Sequence, residues 1–132
     1  MPATNPYARY QQTAVKTADR GDLLILTYEA LLRWLGRADE AIDASNVVDA
    51  HQALIAAQDL VVNLSSSVDL SQGPVGANLV LLYDYIAREL MKANIEKNKA
   101  IIASVRELIT PLLDAWRTAV PAARKEGHLA VV

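Results

Sequence analysis

The chain contains no cysteine, so disulfide bonds and thiolate metal sites are excluded. Its two histidines, His51 and His128, are too few and too far apart for a histidine metal site, and no Glu-x-x-His pair of a helical di-metal site is present. The formal net charge is only −2, which provides no basic field for nucleic acid. We therefore expect no metal, no cofactor and no nucleic-acid partner.

Long apolar runs and catalytic motifs are also missing. No segment reaches the roughly 20 apolar residues that a membrane-spanning helix needs, and the N-terminus lacks the apolar core of a signal peptide. No glycine-rich phosphate loop and no pairing of a nucleophile with a base can be identified. These absences favour a cytoplasmic protein that is not an enzyme and is not inserted in a membrane.

Apolar residues make up 52% of the chain, and they recur at helical spacing. The stretch 78–95 shows this most clearly, because its apolar residues follow one another at steps of four and three and so lie on one helix face. A second apolar row beside the first widens the stripe well beyond a coiled-coil seam. We therefore expect this helix to be the most buried element of a bundle.

The same spacing predicts four helices, near residues 20–43, 46–67, 75–96 and 99–120. Because the connections are short and no strand-like alternation appears, the fold class is all-α, an antiparallel four-helix bundle with an N-terminal arm. The expected division is an arm at residues 1–17, a bundle at 18–120 and a flexible C-terminal tail at 121–132.

Two prolines lie in or after the fourth predicted helix. Pro111 removes a backbone hydrogen bond inside the helix and crowds the carbonyl of Glu107, so it predicts a kink. Pro121 predicts the end of the helix, with the tail beginning at this residue.

The predicted helices carry more apolar surface than one bundle core consumes. One interpretation is that the additional apolar residues form a broader core. The alternative is a surface groove for an apolar helix of a partner or of a second copy in a homodimer. A more remote alternative is a histidine phosphotransfer domain that uses His51. The residues around His51 lack the lysine and glycine typical of such domains, so an ordinary surface histidine is favoured.

Two separated sets of motifs identify a family. The chain begins with N-P-Y-x-x-Y at residues 5–10, followed by T-A-x-x-G at residues 17–21. The central helix carries L-Y-D-Y at residues 82–85 and A-N at residues 93–94, and the last helix carries A-W ending at Trp116. In this order and register, from about Asn5 to Val120, the chain resembles the flagellar secretion chaperones of the FliS family.

The resemblance implies a non-enzymatic export chaperone. FliS-like proteins hold the disordered C-terminal region of flagellin in the cytoplasm, prevent its premature polymerisation and present it to the export-gate protein FlhA. The residues expected to contact flagellin are Leu23, Leu26, Tyr83, Ala87, Leu90, Met91, Asn94, Leu113 and Trp116.

The N-terminal arm is expected to have a separate role. Its two prolines disfavour a helix, while Tyr7, Tyr10 and Val15 are spaced to contact an apolar surface at several points. We expect the arm to cover part of the flagellin groove in the free protein and to be released when cargo binds. The resemblance further implies that the released arm contacts the export gate.

Overall fold

The computed structural model describes residues 19–126, and this part of the chain forms four α-helices. They are α1 (Arg20–Asp43), α2 (Val47–Ser66), α3 (Pro74–Glu96) and α4 (Lys99–Glu126), with one short 3-10 turn at Leu70–Gln72. Each helix packs against the next, and α4 packs back against α1, so that α1 and α3 lie diagonally across the core. The predicted all-α four-helix bundle is confirmed, and residues 19–126 contain no strand.

Side-chain caps start the first two helices. The carboxylate of Asp19 accepts a hydrogen bond of 2.8 Å from the backbone N–H of Asp22, which satisfies a free donor of the first turn of α1. Asn46 caps α2 in the same way, accepting from the N–H of Asp49 at 3.1 Å. The carboxylates of Asp22 and Asp49 also lie in first turns, where the helix dipole favours negative charge.

Helix α4 is longer than the sequence predicts. It continues through Pro111 and Pro121 to Glu126, so the prediction that Pro121 ends the helix at residue 120 is wrong. Proline loses only one backbone hydrogen bond, and tertiary contacts on both sides of Pro121 compensate for it. Val120 is buried, and Arg124 forms ion pairs with Asp19 at 2.7 Å and Asp22 at 2.8 Å.

All four helices contribute to the core. Its largest fully buried side chains are Tyr28, Leu31, Leu35, Leu54, Val61, Tyr83, Ile86, Leu90, Ile102, Val105, Ile109 and Leu113. The expectation that the 78–95 helix is the most buried element is wrong. Helices α1 and α3 each bury seven residues, and α3 leaves Leu81, Tyr85 and Ile95 53–79% exposed. In a four-member bundle each helix has two neighbours, so one face of every helix stays outside.

Within residues 19–126, no helix combines the length and hydropathy that crossing a bilayer requires.

Candidate functional site

Two tyrosines, one of which lies in the L-Y-D-Y motif, meet in the centre of the bundle. The hydroxyls of Tyr28 on α1 and Tyr83 on α3 are 2.6 Å apart, and the rings pack edge to face with their centroids 6.4 Å apart. Burial raises the pKa of both phenols, and the neighbouring Tyr28 hydroxyl raises that of Tyr83 further. Both groups are therefore neutral at physiological pH, and the pair serves to join diagonal helices.

Trp116 on α4 packs beside this pair. Its indole Nε1 is buried, and no acceptor among the described residues forms a well-oriented hydrogen bond with it. The indole N–H lowers the pKa of Tyr28 and so offsets part of the rise that burial causes. The indole nitrogen therefore lies close to the Tyr28 hydroxyl. Trp116 therefore packs against the core beside Tyr28.

The structure separates the nine predicted contact residues into buried and exposed groups. Tyr83, Leu90 and Leu113 are core side chains with 0–2% exposure, so a partner could reach them only after the helices move. Leu23, Leu26 and Met91 are exposed, and Ala87 is half-buried. Apolar spacing shows which residues share one face of a helix, but it does not show how far that face is covered by neighbouring helices. Sequence alone therefore could not separate the two groups.

Asn94, another predicted contact residue, is only 8% exposed and joins α3 to α2. Its side-chain carbonyl accepts a hydrogen bond of 2.7 Å from Lys97 Nζ, which leaves its amide to face His51 Nδ1 at 3.0 Å. His51 thus has a structural contact with α3, and this contact offers no support for the phosphotransfer alternative. Asn94 and His51 also fix the register of the antiparallel helices α2 and α3.

The side of the bundle formed by α4 and α1 is a ladder of ion pairs. From one end to the other, acidic residues of α1 and its cap meet basic residues of α4, in the pairs Asp43–Lys99, Asp39–Arg106, Glu29–Arg117, Asp22–Arg124 and Asp19–Arg124. The N–O distances are 2.7–3.1 Å. We call this surface the charged ladder. Neither sequence periodicity nor motif analysis predicted the charged ladder. The opposite charges of the two helices could have indicated that they pair.

A first apolar surface lies between α1 and α2, on the flank of α1 away from the charged ladder. Leu23 lines a cavity of about 230 Å³ there, together with Leu24, Thr27 and Leu64. Leu23 is 39% exposed, and we name this surface, with Leu23 at its centre, the α1–α2 groove.

The far end of the same groove has a different character. A cleft of about 520 Å³ is lined by Trp34, Arg37, Gln52 and Ala53, and the Arg37 guanidinium lies 4.6 Å from the centre of the Trp34 ring. Aromatic and arginine side chains are common in protein interfaces. The groove therefore changes from aliphatic at the start of α1 to aromatic and polar at its end.

A second apolar surface follows the seam between α2 and α3. On α2, Ile55 and Val62 are seven residues apart, and both are exposed. On α3, Ala87 and Met91 lie seven and three residues before Asn94, which places them on the flank that contacts α2. We call these four residues the α2–α3 stripe.

A third apolar surface lies between α3 and α4. Leu82 and Tyr85 lie on the flank of α3 opposite to Asn94, and Leu108 and Leu112 lie on the flank of α4 opposite to the charged ladder. Tyr85 is 53% exposed and Leu108 37%, whereas the two other leucines are partly buried. No ion pair joins α3 to α4 among residues 19–126. We call this surface the α3–α4 groove.

The described residues therefore present three apolar sides and one charged side. Within residues 19–126, no cluster of three histidine, aspartate or glutamate side chains is arranged to hold a metal ion. The predicted arm residues Tyr7, Tyr10 and Val15 lie outside the described residues.

Comparison with known proteins agrees with the motifs. The family model described as flagellar protein FliS matches residues 3–123. A flagellar secretion chaperone FliS of Bacillus subtilis is 32% identical over 128 residues, which are 97% of this chain and 96% of the relative. Proteins of the same name from Salmonella typhimurium and Escherichia coli are 29% identical over 114 residues and 28% identical over 117. These matches cover 85% and 86% of this chain, and 84% and 86% of the relatives.

The match to the family model covers nearly all of the described bundle, and the Bacillus subtilis relative is similar over its whole length. The family is one of chaperones and not of enzymes, in keeping with the absence of a catalytic pairing in the sequence. On this evidence the chain belongs to the FliS family of flagellar proteins.

Proposed function

We propose that this chain is a cytoplasmic export chaperone for flagellin. It binds the disordered C-terminal region of flagellin, prevents premature polymerisation and delivers the cargo to the export-gate protein FlhA. The name of these relatives, flagellar secretion chaperone, supports the export role. The observation that carries the proposal is the exposure of aliphatic and aromatic side chains on three sides of a bundle whose core is already complete.

The distribution of these side chains indicates what kind of cargo fits. The α1–α2 groove and the α3–α4 groove lie on opposite sides of the bundle, and the α2–α3 stripe lies between them. One rigid helix cannot contact all three surfaces, whereas a chain of apolar segments with flexible links can follow them in turn. The charged ladder makes the fourth side an unfavourable site for apolar cargo, because cargo placed there would desolvate several ion pairs.

The thermodynamics of such binding can be predicted. Ordering a disordered segment against apolar surface buries on the order of 1,000–3,000 Å², and part of the gain is lost to conformational entropy. Calorimetry with a flagellin C-terminal fragment should give a negative heat-capacity change. The affinity should depend weakly on salt, because the proposed surfaces are apolar. A steep loss of affinity between low and physiological salt would contradict the proposal.

Variants can test each surface separately. Leu23→Ser, Met91→Ser and Tyr85→Ser each remove an exposed apolar side chain from a different surface. Each should weaken flagellin binding by about 1–2 kcal/mol, or roughly five- to thirtyfold. Arg117→Gln, on the charged ladder, is the matched control and should leave the affinity unchanged. The proposal fails if the fragment does not bind the wild-type chain, or if only the control variant weakens binding.

Self-association through the same surfaces is the second candidate function. Sedimentation of the isolated chain over a range of concentrations distinguishes the two candidates. A dimer that persists in the presence of excess flagellin fragment would favour a self-associating structural protein. A monomer, or a dimer that the fragment dissociates, favours the chaperone.

A further inference from the structure

Lys97, Asn94 and His51 form a chain of hydrogen bonds at one end of the seam between α2 and α3. Lys97 Nζ donates to the side-chain carbonyl of Asn94 at 2.7 Å and also to its backbone carbonyl. The amide nitrogen of Asn94 lies 3.0 Å from His51 Nδ1. Asn94 is nearly buried, whereas His51 is exposed, so protons reach the ring directly from solvent. We call these three residues the α2–α3 bridge.

The chemistry of its two ends fixes the direction of each hydrogen bond in the bridge. A lysine ammonium can only donate, so the oxygen of the Asn94 amide faces Lys97 and the nitrogen faces His51. The amide nitrogen is also only a donor, and its bond to His51 therefore requires a ring nitrogen with a free lone pair. The bridge is thus complete only while His51 is neutral and carries its proton on Nε2.

Protonation of His51 places two donors opposite each other. An imidazolium donates from both ring nitrogens, so Nδ1 can no longer accept from the amide of Asn94. Turning the amide over does not restore the bridge, because its nitrogen would then face the ammonium of Lys97. The protonated ring and the ammonium would also stand on either side of one amide group, and like charges at such a separation repel each other.

Helix α2 packs against α3 on one flank and α1 on the other, and the charged groups on both sides bear on His51. On the α3 side, Lys97 is the charged member of the bridge. Lys92 and Glu96 are each two residues from Asn94, which places them about 200° around the helix from the face that meets α2. Neither of them therefore faces the ring of His51.

Towards α1, the charged groups belong to the cleft on the other flank of α2. Asp49 lies two residues before His51, again about 200° around its helix, and it accepts a hydrogen bond of 2.7 Å from Asn46. Arg37 and Glu40 of α1 line the same cleft as Asp49. The carboxylates of this cleft therefore do not replace Asn94 as the partner of Nδ1.

We infer that the α2–α3 bridge is a pH-sensitive latch, which is closed while His51 is neutral and opens when the ring is protonated. Histidine is the side chain whose charge ordinarily changes between pH 5 and pH 8, so the latch responds to mild acidification. Opening exposes the Asn94 amide to water and frees Lys97 from the last turn of α3, whose terminal carbonyls need such donors. The seam between α2 and α3 then loosens at this end.

The direction of the pH effect follows from proton binding. His51 takes up a proton freely in the unfolded chain, whereas the closed bridge excludes that proton. The unfolded state therefore binds more protons at mildly acidic pH, and the free energy of unfolding falls as the pH decreases from 8 to 5.5.

The test measures urea unfolding of the full chain at pH 8 and at pH 5.5, above the range in which most carboxylates titrate. On acidification, the equilibrium constant for unfolding should rise about three- to tenfold more in the wild type than in His51→Gln, as expected for one hydrogen bond. The glutamine cannot be protonated. His128→Gln is the matched control, because it removes the other histidine of the chain and should leave the wild-type response unchanged.

A second variant, Lys97→Met, tests the mechanism without relying on a change at His51. With the ammonium removed, the amide of Asn94 can turn over and accept from the protonated ring, so the response to acid should shrink. The inference is overturned if His51→Gln responds to pH as the wild type does, if His128→Gln abolishes the response, or if Lys97→Met retains it in full. These measurements contain no flagellin, so their failure leaves the proposed function intact.

Discussion

The hydroxyls of Tyr28 and Tyr83 meet at 2.6 Å in the centre of the bundle and join α1 to α3 across its diagonal. Neither ring has more than 1% of its surface exposed, so the hydrogen bond is shielded from water. The other inter-helix polar contacts described above join neighbouring helices along the outside of the bundle. The tyrosine pair thus fixes the relative position of two helices that do not otherwise adjoin.

Removing both hydroxyls of this pair should destabilise the fold by less than the sum of the two single removals. Tyr28→Phe or Tyr83→Phe leaves a buried hydroxyl without its partner, with an expected loss of about 1–3 kcal/mol in the free energy of unfolding. The double variant should lose less than the sum of the two single variants. Urea unfolding of the four proteins measures this coupling. Additive losses would show that the two hydroxyls do not interact.

The same pair should make the fold sensitive to alkaline pH. Burial raises the pKa of both tyrosines above the unfolded value of about 10, so the unfolded chain releases their protons first as the pH rises. Their contribution to stability is therefore complete below pH 10 and declines above it. Unfolding free energies measured between pH 9 and pH 11 should fall more steeply for the wild type than for the Tyr28→Phe, Tyr83→Phe double variant.

The last turns of α4 should depend on Arg124. Arg124→Gln removes the ion pairs with Asp19 and Asp22, so amides of residues 122–126 should exchange faster with solvent. Because these groups are exposed, the effect should be small and should disappear at high salt. Arg88→Gln is the control, since Arg88 pairs with Asp84 within α3. Equal exchange in the wild type and in Arg124→Gln would show that the pairs do not hold the helix end.

The contribution of the Asp19 cap to the free energy of unfolding should also depend on acid pH. The backbone N–H of Asp22, followed by the guanidinium of Arg124, lowers the pKa of Asp19 below its ordinary value of 3.8. A lowered pKa in the folded state means that this contribution to stability is present above the unfolded pKa and lost as the pH falls below it. Asp19→Asn should therefore reduce the acid dependence of unfolding between pH 5 and pH 2.

Pro111 offers a separate test of helix geometry. Pro111→Ala restores a backbone donor in the middle of α4, and the free energy of unfolding should rise by up to about 3 kcal/mol if the proline only strains the helix. A folded variant that no longer binds flagellin would instead show that Pro111 shapes the binding surface. Urea unfolding and calorimetry on the same samples separate the two results.

The N-terminal arm remains a prediction, because residues 1–18 lie outside the described part of the chain. Deleting residues 1–15 should leave the helix content unchanged and strengthen flagellin binding, since a competing segment is removed. It should weaken binding of the loaded complex to FlhA. Weaker flagellin binding by the truncated chain would mean that the arm is part of the cargo site and does not compete with it.

Local patterns in the sequence were sufficient to predict the fold class and the helix starts. Apolar spacing gave four helices, and Asp19 and Asn46 provided caps that act within one turn. The motifs that contain Tyr83 and Trp116 indicated the family from the sequence alone. These signals depend on residues close in sequence, and so they can be read without knowing the packing.

Tertiary structure decided the remaining features, because they depend on which side of each helix meets a neighbour. Leu90 and Met91 are adjacent in an apolar stripe, yet packing buries the first completely and leaves the second 55% exposed. Local sequence predicts that Pro121 ends the helix. In the structure α4 continues beyond Pro121, where Val120 is buried and Arg124 pairs with Asp19. Gln58 looks like an ordinary polar residue in the sequence, yet packing buries its Nε2 without a hydrogen-bond acceptor among residues 19–126. The sequence alone thus determined the elements and the family, whereas long-range packing determined the surfaces available to a partner.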